Sequence, residues 1–367
     1  MNNKTPKVRA IAFYLPQFYP TPENDEWWAP GFTEWTNVGK AKPLFRGHYQ
    51  PRVPADLGYY DLRVPETREK QAAMAREYGI EGFCYWHYWF NGRRLLDLVF
   101  REVVESGKPD FPFCLCWANH SWYAKTWNPN SPDKLLIEQT YDGESDYIAH
   151  FNAMLPAFKD NRYIRIDGKL VFGIFDVGFK EFKAFSSCWN RLAKENGIGE
   201  FYFFGLCQEA YQIPIARNNG FDNVVADSLV DTHYFSESKL KRKWGLIKRD
   251  YFHQPHVVHY DNYVTYSLDF FRNNYEKDPH MIPCIEPGFD HSPRSGIRGV
   301  VFDKTTPEKW GQVCKGIIDL IVNSKTHSEK VMFIKAWNEW AEGNYLEPDL
   351  RYGKSFLEAF SSKLFKI

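Results

Sequence analysis

Three glutamates, Glu339, Glu342 and Glu347, lie within nine positions in the segment "AWNEWAEGNYLEPD" (336–349). The segment contains no lysine or arginine, although a solvated helix face normally mixes both signs of charge. Two carboxylates held a few ångströms apart can divide into a base and an acid, because the charge of one raises the pKa of the other. Tryptophan and tyrosine rings stack on the apolar faces of sugars. Paired acids among aromatic residues are therefore typical of glycoside cleavage.

The same residues also fit a purely structural role. Asn338 could cap a short helix, and Glu339 and Glu342 would then be favoured in its first turn by the helix dipole. The residues alone leave both interpretations open.

The elements that must position these acids are apparent in the hydrophobic pattern. Eight short apolar runs alternate with segments of helical spacing, and this order predicts a parallel sheet. The runs are 9–15, 81–89, 112–119, 169–176, 200–207, 223–228, 281–287 and 331–337. The predicted helices are 66–78, 94–106, 145–158, 180–196, 262–275, 307–324 and 354–365.

Eight predicted strands favour a closed (β/α)8 TIM barrel with long loops at its C-terminal face. We expect residues 1–367 to form this barrel as a single domain. A doubly wound open sheet is the alternative, but no G-x-G-x-x-G follows the first run. The segments after strands are long, at 16–65, 118–144, 228–261 and 288–306. Because such loops form the active-site face of these barrels, we expect an aromatic-lined cleft there, with Glu339 and Glu342 as catalytic residues.

Polar and aromatic residues at the ends of the other strands are the candidates for binding a substrate in that cleft. For Glu209 and Glu286, a structural ion pair is an equally open alternative. The candidates are Tyr14, Gln17, Trp35, Trp86, His87, Tyr88, Trp117, Asn119, His120, Glu209, Glu286, Trp337 and Asn338.

Composition excludes several classes of partner. The formal net charge of the 367 residues is zero, which argues against bulk attraction to nucleic acid. No apolar stretch is long enough to span a membrane, and the N-terminus does not resemble a signal peptide, so we expect a soluble, cytoplasmic protein. Seven cysteines without paired metal-ligand spacing predict reduced, buried thiols. We predict no metal and no cofactor.

Two further patterns are weaker. The histidines of "HQPHVVH" (253–259) are spaced three apart but lack a partner motif for zinc or iron. The basic run "KLKRKWGLIKR" (239–249) is typical of a solvated helix face. Alternatively, Lys239, Lys241 and Arg242 could bind a phosphate-bearing ligand.

Four motifs resemble those of the WbsX-type proteins, a family described as glycosyltransferases of O-antigen or lipopolysaccharide biosynthesis and similar to glycoside hydrolase family 99. The resemblance extends from about residue 8 to the C-terminus. The motifs are "AFYLPQFYPTPENDEWWAPGFTEWTNV" (12–38), "GFCYWHYWF" (82–90), "WANHSW" (117–122) and "KAWNEWAEGNYLEPD" (335–349).

The resemblance implies a bacterial (β/α)8 barrel and a mechanism. Family 99 enzymes cleave α-mannosidic linkages with retention, using the sugar's own 2-hydroxyl as the nucleophile, and share an N-E-W-x-E-G segment. Carried onto this chain, Glu339 would be the base toward the 2-hydroxyl and Glu342 the general acid/base. This chain has Ala341 where family 99 commonly has histidine.

Three functions follow as alternatives. The first is a retaining, endo-α-mannosidase-like glycosidase acting on a mannose-like glycan, with transfer to a sugar acceptor as a close variant. The second is a glycosyltransferase of surface-polysaccharide assembly, against which the sequence contains no D-x-D motif. The third is a non-catalytic glycan-binding barrel.

Overall fold

Eight parallel strands, β1 to β8, form the centre of the molecule. This computed structural model describes residues 5–125, 133–227 and 239–365, and at 239–242 and 246 it describes the backbone only. The strands are β1 Arg9–Tyr14, β2 Gly82–Phe90, β3 Phe113–Trp117, β4 Lys169–Ile174, β5 Phe201–Cys207, β6 Asn223–Asp227, β7 Met281–Ile285 and β8 Val331–Ile334.

The sheet closes on itself. Each strand pairs with the next, and β1 pairs with both β2, where Ile11 lies opposite Gly82, and β8, where Arg9 lies opposite Val331. All nine residues of β2 and all five of β3 are buried, as expected for strands covered by side chains inside and helices outside. The prediction of a (β/α)8 barrel is confirmed.

Helices follow the strands and form the outer layer. Each of the seven predicted helices is present within a few residues of its expected position. The helices of the described residues are α1 Pro22–Trp27, α2 Glu34–Lys40, α3 Pro65–Glu77, α4 Leu98–Ser106, α5 Glu144–Phe158, α6 Phe182–Glu195, α7 Gln212–Asn219, α8 Lys239–Phe252, α9 Tyr260–Asn274, α10 Ser292–Ser295, α11 Pro307–Asn323 and α12 Ser355–Leu364.

The predicted helix 94–106 begins later than expected, at Leu98. Arg93–Leu95 instead forms a short antiparallel strand against the end of β2, where Leu95 lies opposite Tyr88. Hairpin pairing with β2 therefore overrides the helical spacing at these positions.

The seven cysteines are free and buried. All seven lie on barrel strands or on the helix faces that pack against them, where a thiol behaves as a small apolar group: Cys84, Cys114, Cys116, Cys188, Cys207, Cys284 and Cys314.

Candidate active site

A tight turn after β8 carries the two acids. Asn338–Glu339 pairs antiparallel with Asn344–Tyr345, and the turn between them contains Glu342. The turn ends at Gly343 with φ +58°, where an added Cβ would lie 2.7 Å from the Cβ of Asp290. A glycine is therefore required here by both the backbone angle and the close approach. The turn places Glu339 and Glu342 at the carboxyl end of the barrel.

Asn338 fixes this turn to the first strand. Its Oδ1 accepts a hydrogen bond from Leu15 N–H (2.7 Å), and its Nδ2 donates to Leu15 C=O (3.0 Å). Because Asn338 is completely buried and uses its amide on the backbone, its observed role is to hold β1 and the turn together.

One arginine contacts both acids. Arg294 on α10 donates from Nη1 to Glu342 Oε1, and its Nη2 lies 3.4 Å from Glu339 Oε2 and 3.0 Å from Glu34 Oε2. Trp86 Nε1 donates to the other oxygen of Glu339 (2.9 Å). The two carboxylates therefore converge on a single guanidinium.

This cluster has an exposed side and a buried side. The side chains of His291, Arg294 and Glu342 are 32%, 25% and 17% exposed, whereas that of Glu339 is 6% exposed. A ligand arriving from solvent would meet His291, Arg294 and Glu342 before Glu339.

The surroundings shift the pKa values of the two acids in opposite directions. Burial and then the charge of Glu342 raise the pKa of Glu339 to about 8. Burial also acts to raise the pKa of Glu342, but Arg294, Lys335 and His291 together outweigh it and lower that pKa below its usual value. At neutral pH, Glu339 is therefore the protonated acid and Glu342 the carboxylate.

A second charged group lies inside the mouth of the barrel. Lys335, at the end of β8, has its Nζ 3.8 Å from Asp227 Oδ2 and 4.0 Å from Glu286 Oε1. All three residues are buried. Burial, followed by the charge of Asp227, raises the pKa of Glu286 well above its ordinary value. Glu286 thus lies in an ion-paired cluster that borders the acid pair, since Lys335 also lowers the pKa of Glu342.

Neighbouring residues of β2 have different environments. Trp86 contacts Glu339 through its indole N–H, and the pKa of Tyr88 is raised by burial and then by the charge of Glu339. His87, between them, faces the helices, where its Nε2 lies 2.7 Å from the Nε2 of His150 on α5. The alternation of strand side chains therefore directs Trp86 and Tyr88 toward the acids and His87 away from them.

Several other candidates lie in packing positions. The hydroxyl of Tyr14 donates to Gln71 on α3 (2.7 Å), and the completely buried Trp117 donates to the backbone of Trp89. Asn119 exchanges hydrogen bonds with the backbone of Asp176. The placement of Tyr14, His87, Trp117 and Asn119 does not support the predicted contact with substrate.

The remaining candidates lie around the acid pair without a direct hydrogen bond to Glu339 or Glu342. Trp35 on α2 packs against Trp340 and donates to Tyr60 C=O (2.7 Å), and Trp337 is completely buried against Phe83. His120 packs against Phe175, which in turn packs against Trp86. Gln17 accepts a backbone hydrogen bond from Glu34 N–H, and Glu209 lies three residues before α7, where its C=O accepts a hydrogen bond from Gln212 N–H. His120 is thus connected to Glu339 through two aromatic rings, those of Phe175 and Trp86.

The third acid of the segment is structural. Glu347 is buried and accepts hydrogen bonds from Tyr60 Oη (2.9 Å), Gln71 Nε2 (2.6 Å) and Trp340 Nε1 (2.6 Å). These donors attach the turn to α3 and to the long segment after β1. Burial raises the pKa of Glu347 to about 7.

Five residues of the site were not among the sequence candidates. They are Glu34, Asp227, His291, Arg294 and Lys335. Asp227 and Lys335 lie at the ends of predicted strands, and that position could have identified them. For Glu34, His291 and Arg294 the only available signal was their position in long segments after β1 and β7.

The predicted phosphate contacts cannot be placed, because the side chains of Lys239, Lys241 and Arg242 lie outside the described residues. Over the described ranges, no group of three or more His, Cys, Asp or Glu side chains is arranged to hold a metal ion. None of the described helices is both long and apolar enough to cross a membrane.

Comparison with known proteins identifies the family of the chain. It belongs to the WbsX glycosyltransferase family, whose model matches residues 10–360. The chain is 33% identical over 365 residues to the uncharacterized protein WxcX of Xanthomonas campestris pv. campestris, and likewise over 355 residues in a second strain. These alignments cover 95% of the chain but 48% of each relative, so the chain spans about half the length of the curated relatives it matches.

Solved structures share the fold. A glycoside hydrolase-like protein superimposes with a TM-score of 0.62 at 14% identity, covering 98% of this chain and 94% of the other. The family 99 endo-α-mannosidase from Bacteroides thetaiotaomicron gives a TM-score of 0.55 at 12% identity, covering 96% and 95%. The resemblance to the WbsX family and to family 99 barrels is thus confirmed for family and fold.

Proposed function

We propose that the chain breaks an α-glycosidic bond of a mannose-like glycan with retention, using Glu339 and Glu342 as its acid and base. The observation that carries this proposal is the convergence of both carboxylates on Arg294 at the carboxyl end of the barrel. The opposite directions of their pKa values support a division of roles, because one group must donate a proton while the other accepts one.

The first step uses the 2-hydroxyl of the sugar as the nucleophile. Glu342, as a carboxylate, removes the proton of that hydroxyl, and the oxygen attacks the anomeric carbon. Glu339 transfers its proton to the departing glycosidic oxygen as the bond to the anomeric carbon breaks. The products of this step are a 1,2-anhydro sugar, a protonated Glu342 and an ionised Glu339.

The second step restores both acids. Glu339 removes a proton from water, whose oxygen opens the 1,2-anhydro ring at the anomeric carbon. Glu342 returns its proton to the 2-oxygen. Two displacements at the same carbon give net retention.

This assignment is opposite to the one implied by the resemblance to family 99, in which the first glutamate is the base. The physical reason is Arg294, whose positive charge stabilises the carboxylate form of Glu342 more than that of Glu339. In addition, this chain has Ala341 between the acids, where family 99 commonly has histidine.

Transfer is the second candidate. The family description, glycosyltransferase, supports it, and a sugar hydroxyl in place of water in the second step would give transfer with the same two acids. A nucleotide-sugar donor would require a different site for a diphosphate.

Two incubations test these alternatives. In the first, activated aryl α-glycosides, including the α-mannoside, are offered with and without a sugar acceptor. In the second, nucleotide sugars are offered with an acceptor. The proposed chemistry is supported if the wild type releases the phenol and Glu342→Gln releases it at least a hundredfold more slowly. A product that forms only when the sugar acceptor is present identifies transfer.

The matched control is Glu105→Gln, because Glu105 is an exposed glutamate far from β8. Its activity should equal that of the wild type. Glycosyl transfer from a nucleotide sugar without any phenol release would overturn the proposal, as would sugar binding without cleavage of any of the aryl α-glycosides.

A further inference from the structure

Helix α8, Lys239–Phe252, presents large apolar side chains to solvent. Trp244, Ile247, Tyr251 and Phe252 are 52%, 40%, 79% and 61% exposed. Positions 244, 247 and 251 follow the i, i+3, i+7 spacing, which places these three side chains on one face of the helix. Because single exposed apolar residues are common but a contiguous exposed stripe is not, this face is a candidate interaction surface.

Basic residues lie on both sides of the stripe. At 100° per residue, Lys243 and Lys248 lie on opposite sides of Trp244, and both are exposed. The sequence of α8 contains six basic residues and one acidic residue, although the whole chain has zero net charge. The positive charge is therefore local to this helix.

The position of α8 links it to the acid pair. It lies between β6 and β7, so it belongs to the segments at the carboxyl ends of the strands. The chain continues from α8 into His256–His259, which pairs in parallel with Val300–Asp303. That second strand follows directly from the segment that holds Arg294. The C-terminal end of α8 therefore leads into a strand pair beside the segment that holds Arg294.

We propose that α8 docks the protein onto an anionic membrane surface, with Trp244, Ile247 and Tyr251 inserted at the headgroup level and Lys243 and Lys248 on the lipid phosphates. Fourteen residues make a helix about 21 Å long, shorter than the ~30 Å hydrocarbon core, so α8 lies in the plane of the interface. This inference rests on the surface of α8 and does not depend on the proposed reaction.

The residue types favour a membrane over other polyanions. Tryptophan and tyrosine prefer the boundary between headgroups and acyl chains, since their rings have an apolar body and a polar edge. Lysines beside an apolar stripe extend toward the phosphates while their methylene groups cover apolar surface. A nucleic-acid duplex or a free phosphate would contact the lysines but leave the stripe in water.

Cosedimentation with vesicles tests this proposal. The full chain is mixed with vesicles of phosphatidylcholine alone, or of phosphatidylcholine with phosphatidylglycerol. We expect binding to the anionic vesicles only, and its loss when 1 M salt shortens the Debye length to about 3 Å. Replacing both Lys243 and Lys248 by serine should weaken this binding about thirtyfold, because each lysine near an anionic surface contributes about fivefold.

The stripe is tested separately. Trp244→Ser with Ile247→Ser should weaken binding to anionic vesicles at least tenfold, while the control Leu350→Ser, at another exposed apolar position, should leave it unchanged. Vesicles with brominated acyl chains should quench tryptophan fluorescence in the wild type. The conservative Trp244→Phe should bind as well as the wild type but lose this quenching.

Each contrary result overturns the proposal. Equal binding of the stripe variant and the wild type would mean that only charge is recognised, and competition by inorganic phosphate at matched ionic strength would identify a free-phosphate site instead. Failure of the wild type to sediment with anionic vesicles would exclude membrane docking. Thermal unfolding of every variant establishes that these exposed substitutions leave the fold intact.

Discussion

Arg294 and Glu342, separated by 48 positions in sequence, form the closest ion pair of the candidate active site. The same guanidinium lies 3.4 Å from Glu339 and 3.0 Å from Glu34, so one cation faces three carboxylates. Because it donates directly to Glu342 and lies farther from Glu339, it makes the two acids of one short turn electrostatically unequal.

The first prediction concerns this arginine. In Arg294→Gln the pKa of Glu342 should rise by about one to three units, because the opposite charge that most lowers it is removed. A base must be ionised, so activity is lost as pH falls through its pKa. The acidic limb of kcat/KM against pH should therefore move to higher pH.

The control for this prediction is Arg298→Gln, an exposed arginine on the same segment, whose pH profile should match that of the wild type. Arg294→Lys keeps the charge but loses the planar fork, so we expect an intermediate shift. An unchanged acidic limb in Arg294→Gln would show that Arg294 does not control the charge of Glu342.

The second prediction separates the roles of the two acids. Glu339→Gln should lower kcat/KM for substrates with basic leaving groups by about 10²- to 10⁴-fold, while kcat/KM for substrates with acidic phenols, which depart without protonation, should stay almost normal because it reports the first step. Steady-state turnover of the acidic phenols should still slow, because the variant lacks the base toward water in the second step. The kcat/KM of the wild type should also fall above pH of about 8, where Glu339 loses its proton. With acidic phenols, the pH profile of kcat/KM for Glu339→Gln should lack this basic limb.

Glu342→Gln should instead slow both kinds of substrate, because the 2-hydroxyl must be activated whatever the leaving group. If the dependence on the leaving group appears in Glu342→Gln and not in Glu339→Gln, the roles are those implied by family 99, and the charge state of the free protein is reversed when substrate binds.

The third prediction concerns stability. The pKa of Glu339 is raised from 4.5 to about 8 by folding, so between these pH values the folded chain binds a proton that the unfolded chain has lost. The free energy of unfolding of the wild type therefore falls as pH rises through this window. Glu339→Gln lacks this loss and should be more stable than the wild type above pH of about 8, by a few kcal/mol at most.

Glu342→Gln should change the free energy of unfolding in the opposite direction, by lowering it. Its carboxylate is favoured by folding, so its removal leaves Arg294 less compensated and should cost about 1–3 kcal/mol at neutral pH, less than for a fully buried pair because Glu342 is partly exposed. Denaturant unfolding at pH 5, 7 and 9 measures both effects. Equal destabilisation by the two substitutions at pH 9 would contradict the assigned charge states.

The barrel could be predicted from sequence because its strands are buried on both faces and therefore appear as apolar runs separated by helical spacing. The same property limits prediction of the site. Alternation separates Trp86 and Tyr88 from His87, but when both faces are buried the residue types do not tell which face lies inside the barrel. The choice of His87 as a substrate contact depended on that missing information.

The electrostatic partners of the acids could not be predicted for a different reason. Glu34 lies on α2 and Arg294 on α10, and their contact spans 260 positions. Neither residue forms part of a periodic pattern, since their segments are held by individual contacts such as that of Asp290 N–H with the backbone of Glu342. The conformation of the loops over the barrel determines which charged residues come into contact, and the spacing of residues along the chain does not predict that conformation.

The fourth prediction concerns Glu347, the acid of the opening segment that the structure assigns to support. Glu347→Ala leaves the buried donors of Tyr60, Gln71 and Trp340 without their acceptor, so we expect a loss of about 3–5 kcal/mol in the free energy of unfolding. The exposed Glu105→Ala should change this free energy by less than about 0.5 kcal/mol. Because Glu347 has no part in proton transfer, the folded fraction of Glu347→Ala should keep both limbs of the pH profile where the wild type has them. A limb displaced in this variant alone would make Glu347 a member of the titrating group and not only a support for the turn.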